Sequence, residues 1–144
     1  MAESDRQEYV CGFMFSPDRQ RVLLIKKNRP SWQAGKYNGA GGKIEAGETP
    51  EAAMRREFRE EAGIDQADWR YFARISGYHD HFCVHFFYAI GDLDEAQSLT
   101  DETIVTLLIP NLAVWPLVRG LRWLIQLALE GNYQLVTAVD EVFK

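Results

Sequence analysis

Two cysteines in 144 residues are too few to staple a fold. Cys11 and Cys83 sit in apolar, strand-like runs, which fits buried reduced thiols better than a disulfide. Positive charge is not in excess either: 16 lysines and arginines meet 21 acids, for a net charge of −5. That balance argues against a general nucleic-acid binder, which needs a basic surface against the phosphate backbone. A small polyphosphate stays accessible if cations bridge the charges. No apolar run is long enough to span a bilayer. The longest, from Leu107 to Leu129, is broken by Pro110, Asn111, Pro116, Arg119, Gly120 and Arg122. No signal peptide, repeat or linker is visible. The expectation is one domain over residues 1–144 with a loose polar tail at 1–7. It is placed in the cytoplasm, with no membrane or nucleic-acid polymer as partner, as a monomer or homodimer. What remains is ordinary: 47% hydrophobic and 26% charged residues suffice for a soluble core.

The pattern along the chain alternates strands with two helices. Tyr9 to Phe15 reads as a strand, Ser16-Pro17-Asp18 as a turn, and Arg21 to Lys27 as the next strand. Residues 28–42, rich in glycine, read as a loop wrapped over a ligand. Thr49 and Pro50 open a helix as N-cap and first residue, and Gly63 closes it. Met54, Phe58 and Ala62 recur at i, i+4, i+8 and face inward. Strands are expected near Trp69–Gly77 and His81–Ile90, the second with Phe82, Val84, Phe86 and Tyr88 on one face. An acidic loop from Gly91 to Thr100 precedes a strand at Thr103–Ile109. Pro116 is read as the start of a second helix, with Leu117, Leu121, Leu124 and Ala128 inward and Gly131 as its stop. Residues 133–143 suggest a short final strand.

The first helix carries the chemistry. Glu57, Glu60 and Glu61 lie three and four residues apart, so their Cβ atoms come within about 5–6 Å on one face. Three carboxylates there repel one another, and a hard divalent cation removes that penalty. The bland alternative is a solvated face paired with Arg55, Arg56 and Arg59. Ala53, one turn before Glu57, leaves space beside the carboxylates.

The run Gly42-Lys-Ile-Glu-Ala-Gly-Glu48 through Arg56-Glu57-Phe58-Arg-Glu60-Glu61-Ala-Gly63-Ile64 resembles the Nudix box at every fixed position. The box favours the metal reading over the solvated face. The resemblance implies an α/β (α+β) Nudix fold, a mixed β-sheet sandwiched between helices. It also implies hydrolysis of a nucleoside diphosphate linked to another group, with Mg²⁺ or Mn²⁺. By the same resemblance Glu57, Glu60, Glu61 and the carbonyl of Gly41 are metal ligands, Glu48 and Arg56 an orienting pair, and one glutamate the base.

Gly35-Lys-Tyr37-Asn38-Gly39-Ala40-Gly41-Gly42-Lys43 is similar to the loop of the mutator-type 8-oxo-dGTP pyrophosphohydrolases, with Tyr37 in place of Trp. That likeness implies that Asn38 reads the base and that Glu102, in Asp101-Glu102, reaches the metals. It favours a nucleoside triphosphate, split to monophosphate and pyrophosphate, as substrate. The subgroup follows Trp-Pro with two acids that read an oxidised purine; Trp115-Pro116 is followed here by Leu117 and Val118, which puts that substrate in doubt. A nucleotide sugar or dinucleoside polyphosphate, or a silent nucleotide sensor, are the rival functions. A sensor is expected to have lost a metal glutamate, and none is lost.

The remaining polar residues divide. Lys43, inside the glycine loop, is a phosphate candidate, while Lys26, Lys27 and Arg29 read better as solvated strand ends. Trp32 and Trp115 are candidates to lie against the nucleobase; for Trp32, anchoring its loop to the sheet is an equal reading. Trp69 and Trp123 read as packing. His81, Cys83 and His85 share one strand face, yet structural zinc sites draw ligand pairs from different segments. Strand packing and surface histidines are therefore the better account of these residues and of His79.

Overall fold

β1 (Gln7–Phe15) and β2 (Arg21–Lys26) form a hairpin that pairs only beside its turn, Met14 with Leu23 and Phe15 with Val22. Beyond that the strands diverge, and the segment after the glycine-rich stretch fills the gap. β3 (Tyr37–Asn38) pairs with β2, and β4 (Ala40–Lys43) pairs with β1. The expected loop at 28–42 is thus corrected. Its second half is strand, formed because two partners hold it on either side and not by its own β-propensity, which glycine weakens. The computed structural model describes residues 6–77 and 81–131. The tail ends earlier than expected, since Gln7 already belongs to β1; residues 1–5 and the proposed strand at 133–143 lie outside the described residues, as does His79.

β5 (Arg70–Gly77) and β6 (Phe82–Ile90) are antiparallel to each other, and β6 runs parallel to β1 from Gln7/Phe82 to Phe15/Ile90. β7 (Thr103–Leu108) adds to the far side of β2. One parallel pair among antiparallel ones makes the sheet mixed.

Two helices cover the two faces, as strand alternation requires. α1 (Pro50–Ala62) buries Ala53, Met54, Phe58 and Ala62 completely, against Val10, Met14, Leu23 and Phe87. Thr49 caps it by accepting from Ala52 N–H at 3.1 Å. Phe58 meets the buried Trp69 edge-on, ring centroids 5.1 Å apart. α2 (Leu121–Glu130) buries Leu121, Leu124, Ile125 and Ala128 against Phe13, Phe15, Phe72 and Phe86 on the other face. Val84 and Tyr88 join that second core, so β6 is apolar on both sides. Trp123 points outward and is half exposed.

α2 starts later than Pro116 suggests. Tyr37 N–H donates to Pro116 O at 2.8 Å, and Val118 N–H to Tyr37 O at 2.9 Å. The chain from Pro116 to Val118 therefore lies extended against β3, and Leu117 is only partly buried there. Gly120, with φ +81°, then turns the backbone into the helix, a conformation that residues with a Cβ rarely adopt. Among the described residues no helix is long and apolar enough to cross a membrane.

Candidate functional site

Glu57 and Glu61 project from α1 toward β4, the last strand of the wedge between β1 and β2. The approach is close: a Cβ on Gly42 would stand 2.5 Å from Glu57 Oε1, so only glycine leaves the carboxylate its place. Glu61, the buried member, accepts from Gly41 N–H at 2.9 Å. Glu60 stays open, its side chain about half exposed.

Arg56 organises the near side. Its Nε and Nη2 grip both oxygens of Glu48, at 2.7 and 2.9 Å. Nη1 donates to Glu57 Oε1 at 2.8 Å and reaches Glu60 Oε2 at 3.4 Å, and Nη2 also donates to Lys43 O at 3.1 Å. A forked guanidinium holds carboxylate planes more firmly than a lysine could. Glu48 is kept below the usual carboxylate range by this clasp. Lys43 itself meets Arg56 through its backbone, and its side chain is exposed.

Glu102 enters from the far end, at the start of β7. It is buried and takes Lys27 Nζ at 2.8 Å, Asn28 N–H at 2.7 Å and Arg29 N–H at 3.4 Å. Burial raises its pKa, but these donors win and hold it below the usual value. Asp101 is exposed and pairs with Arg29. From the sequence alone Lys27 and Arg29 read as solvated strand ends. Lys27 is instead mostly enclosed, close enough to act electrostatically on Glu61 as well. Nothing local signals this, since its partner lies 75 residues away.

Burial, then the charge of Glu57, push the Glu61 carboxyl up to about 8. Glu57 is also raised, chiefly by burial, although Arg56 counters. The donor set is all carboxylate oxygen on a half-buried face, the kind that hard divalent cations take. Glu57, Glu60, Glu61 and Glu102 could hold such an ion, and the charge on Glu57 and Glu61, unfavourable without one, fits that use.

A pH dependence follows for the metal-free protein. A carboxyl raised from 4.5 to about 8 on folding contributes stability that is full below the unfolded value and lost as pH rises through the folded one. In EDTA the melting temperature is expected to fall between about pH 5 and about pH 8, and Glu61→Gln to flatten that slope. Calorimetry across this range checks it; an unchanged slope in Glu61→Gln would contradict the assignment.

Asn38, the residue expected to read the base, lies on β3. Asn38 Oδ1 accepts from Gly39 N–H at 2.8 Å and from the Cys11 thiol at 3.6 Å, and its Nδ2 donates to Gln33 Oε1 at 3.0 Å. Cys11, which the sequence showed only as an apolar thiol, thus abuts Asn38, and burial pushes its pKa up to about 12. Trp115 packs edge-on to Tyr37, centroids 5.6 Å apart, and is partly exposed; Trp32 is more exposed still. Val118 is buried.

Comparison with known proteins gives likenesses in both sequence and fold. The NUDIX domain model matches residues 5–116. The oxidized purine nucleoside triphosphate hydrolase of Mus musculus is 35% identical over 115 residues, covering 75% of this chain and 72% of that protein. The Danio rerio protein of the same name is 57% identical over 44 residues, 31% of this chain and only 28% of its own length. Among solved structures, a mutator MutT protein from Bacillus halodurans superposes with a TM-score of 0.75 at 21% identity, covering 94% of this chain and 90% of that one.

Proposed function

We propose, from the premise that this chain belongs to the Nudix family, that it hydrolyses a nucleoside triphosphate to monophosphate and pyrophosphate. The observation that carries the proposal is the convergence of Glu57, Glu60 and Glu61 from α1 with Glu102, the residue just before β7, bracketed by Arg56 and Lys27. The likeness to hydrolases of oxidized purine nucleoside triphosphates supports the choice of substrate.

Glu57, Glu60, Glu61, Glu102 and the Gly41 carbonyl would hold Mg²⁺ or Mn²⁺, which supplies positive charge to the phosphate oxygens and acidity to the attacking water. Arg56 keeps Glu57 aimed by holding it and Glu48 together. Lys27 does the same for Glu102. Gly41 N–H fixes one oxygen of Glu61 and leaves the other for the reaction. A glutamate accepts the proton of the water, whose oxygen attacks phosphorus as pyrophosphate leaves. Asn38 reads the base, Trp115 and Trp32 lie against its ring, and Lys43 meets the phosphates.

Base discrimination is where this chain departs from enzymes with two acids after Trp-Pro. Leu117 and Val118 offer no side-chain donor, and the backbone beside them is already spent on Tyr37. A polar base edge buried against them loses a hydrogen bond worth about 1–3 kcal/mol. In a substrate panel with Mg²⁺, scored by chromatography of the nucleotide products, triphosphates are expected to exceed nucleotide sugars and dinucleoside polyphosphates. With no side-chain donor there to tell the two bases apart, the preference for 8-oxo-dGTP over dGTP in kcat/KM is expected to be weak, well below about a hundredfold. A preference of about a hundredfold or more would overturn the reading of Leu117 and Val118, and turnover confined to nucleotide sugars the substrate class.

A further inference from the structure

A second group of side chains with metal-binding chemistry lies on the α1 face of the sheet, on strands that do not carry the glutamates. Parallel pairing sets Glu8 of β1 beside Cys83 of β6, and His85 follows two residues on, on the same face. One ligand atom from each lies within 4.8 Å of the other two. His85 Nε2 is 2.9 Å from Glu8 Oε1 and 3.8 Å from Cys83 Sγ. Around a tetrahedral zinc, bonds of about 2.0–2.3 Å place such ligand atoms roughly 3.3–3.6 Å apart. Shifts of a few tenths of an ångström would bring both His85 distances to those values, and the half-exposed Glu8 carboxylate would turn toward Cys83 Sγ from within 4.8 Å. Cys83 and His85 are buried, while the Glu8 side chain is 40% exposed, so the group opens to solvent at one corner.

We propose that Glu8, Cys83 and His85 bind a divalent cation of the zinc class, with water as the fourth ligand at the Glu8 corner. The donor set selects it: thiolate, imidazole and one carboxylate suit zinc, whereas magnesium takes oxygen and disfavours sulfur. Seen along β6 alone, the ligands come from a single segment. The fold supplies the second segment, because Glu8 stands 77 residues from His85 in the chain.

The surroundings fit the role. His85 Nδ1 lies 2.5 Å from the Tyr71 hydroxyl. A tyrosine hydroxyl can donate or accept. In the metal-free state Nε2–H donates to Glu8 and the Tyr71 O–H donates to Nδ1. With the cation in place the imidazole proton sits on Nδ1 and donates to the Tyr71 oxygen, leaving the Nε2 lone pair for the metal; an outer hydrogen bond of this kind orients most metal-binding histidines. Burial pushes the Cys83 thiol up, with the Glu8 charge adding to it, while the Ser76 hydroxyl and then the Arg6 and Arg74 guanidiniums favour the thiolate. Ser76, the cross-strand partner of Cys83, is buried with its hydroxyl in no hydrogen bond of normal geometry, a donor that a thiolate would take up. The balance closes. The imidazole proton moves from one ring nitrogen to the other, the thiol yields one proton to solvent, and thiolate plus carboxylate offset the two positive charges.

Cobalt(II) reports on this site through its thiolate charge-transfer absorption, which oxygen ligands do not give. The full chain, stripped with a chelator and titrated with Co²⁺ in excess Mg²⁺ that fills the glutamates, is expected to develop the band to saturation at one equivalent and release one proton per ion. One equivalent of Zn²⁺ is expected to bleach it, and a large excess of Mg²⁺ to leave it. The band is expected to vanish in Cys83→Ser and persist in Cys11→Ser, whose sulfur lies near the glutamates. Glu8→Gln, at the exposed corner where folding is least at risk, is expected to weaken Zn²⁺ binding by about tenfold or more. No band in the wild type, a band that survives Cys83→Ser, or Zn²⁺ affinity unchanged in Glu8→Gln would each overturn the proposal. None of these readouts depends on turnover, so they stand or fall apart from the hydrolase reading.

Discussion

Glu57→Gln and Glu61→Gln are each expected to lower kcat/KM on the best triphosphate by about 10²-fold or more, with the fold intact. Each swap keeps the shape and removes the charge of a group proposed to hold the cation. In Glu61→Gln the new amide oxygen can still accept from Gly41 N–H, so β4 stays pinned to α1. The structure also separates the catalytic effect from a structural one. Because burial makes a charged Glu61 unfavourable without metal, the metal-free Glu61→Gln variant is expected to melt no lower than wild type at neutral pH while its activity collapses. Steady-state kinetics beside calorimetry reads both. A folded variant of either kind with near wild-type kcat/KM would remove that glutamate from the site.

Removing the cation is expected to have the other large effect. Turnover is expected to cease in EDTA and return with Mg²⁺ alone, without added zinc. An ion that binds only the folded chain at a concentration 100 times its Kd stabilises it by about 2.7 kcal/mol. For a chain of this size that corresponds to a melting shift on the order of 10 °C. The shift is expected to shrink in Glu57→Gln, where one of the repelling charges is already gone. Full turnover in EDTA, or no Mg²⁺ shift, would contradict the proposed role of the glutamates.

Much of this site was written locally. Thr49, Pro50, the apolar row Met54-Phe58-Ala62 and Gly63 define α1 within fifteen residues, and the same helix orders its glutamates by spacing alone. The features that escaped depend on partners far along the chain. β3 and β4 are strands because β1 and β2 diverge and leave room, which no propensity of Tyr37–Lys43 announces. Pro116 has the look of a helix start, but its carbonyl and the Val118 N–H are claimed by Tyr37, and α2 waits for Gly120. Lys27 reads as a solvated strand end until Glu102 arrives with β7, and Cys11 reads as core until β3 brings Asn38 to it. Glu8 is similarly silent in sequence, a tail-end acid whose neighbours on β6 appear only when the strands pair.

Product analysis on a single triphosphate tests the central claim most directly. dGTP incubated with the full chain and Mg²⁺, followed by chromatography of the nucleotide and separate assays for pyrophosphate and orthophosphate, shows which anhydride bond is cut. The account predicts dGMP and pyrophosphate in equal amounts, formed only with the divalent cation present. Release of dGDP and orthophosphate, or no turnover of any triphosphate in the presence of Mg²⁺ or Mn²⁺, would contradict it.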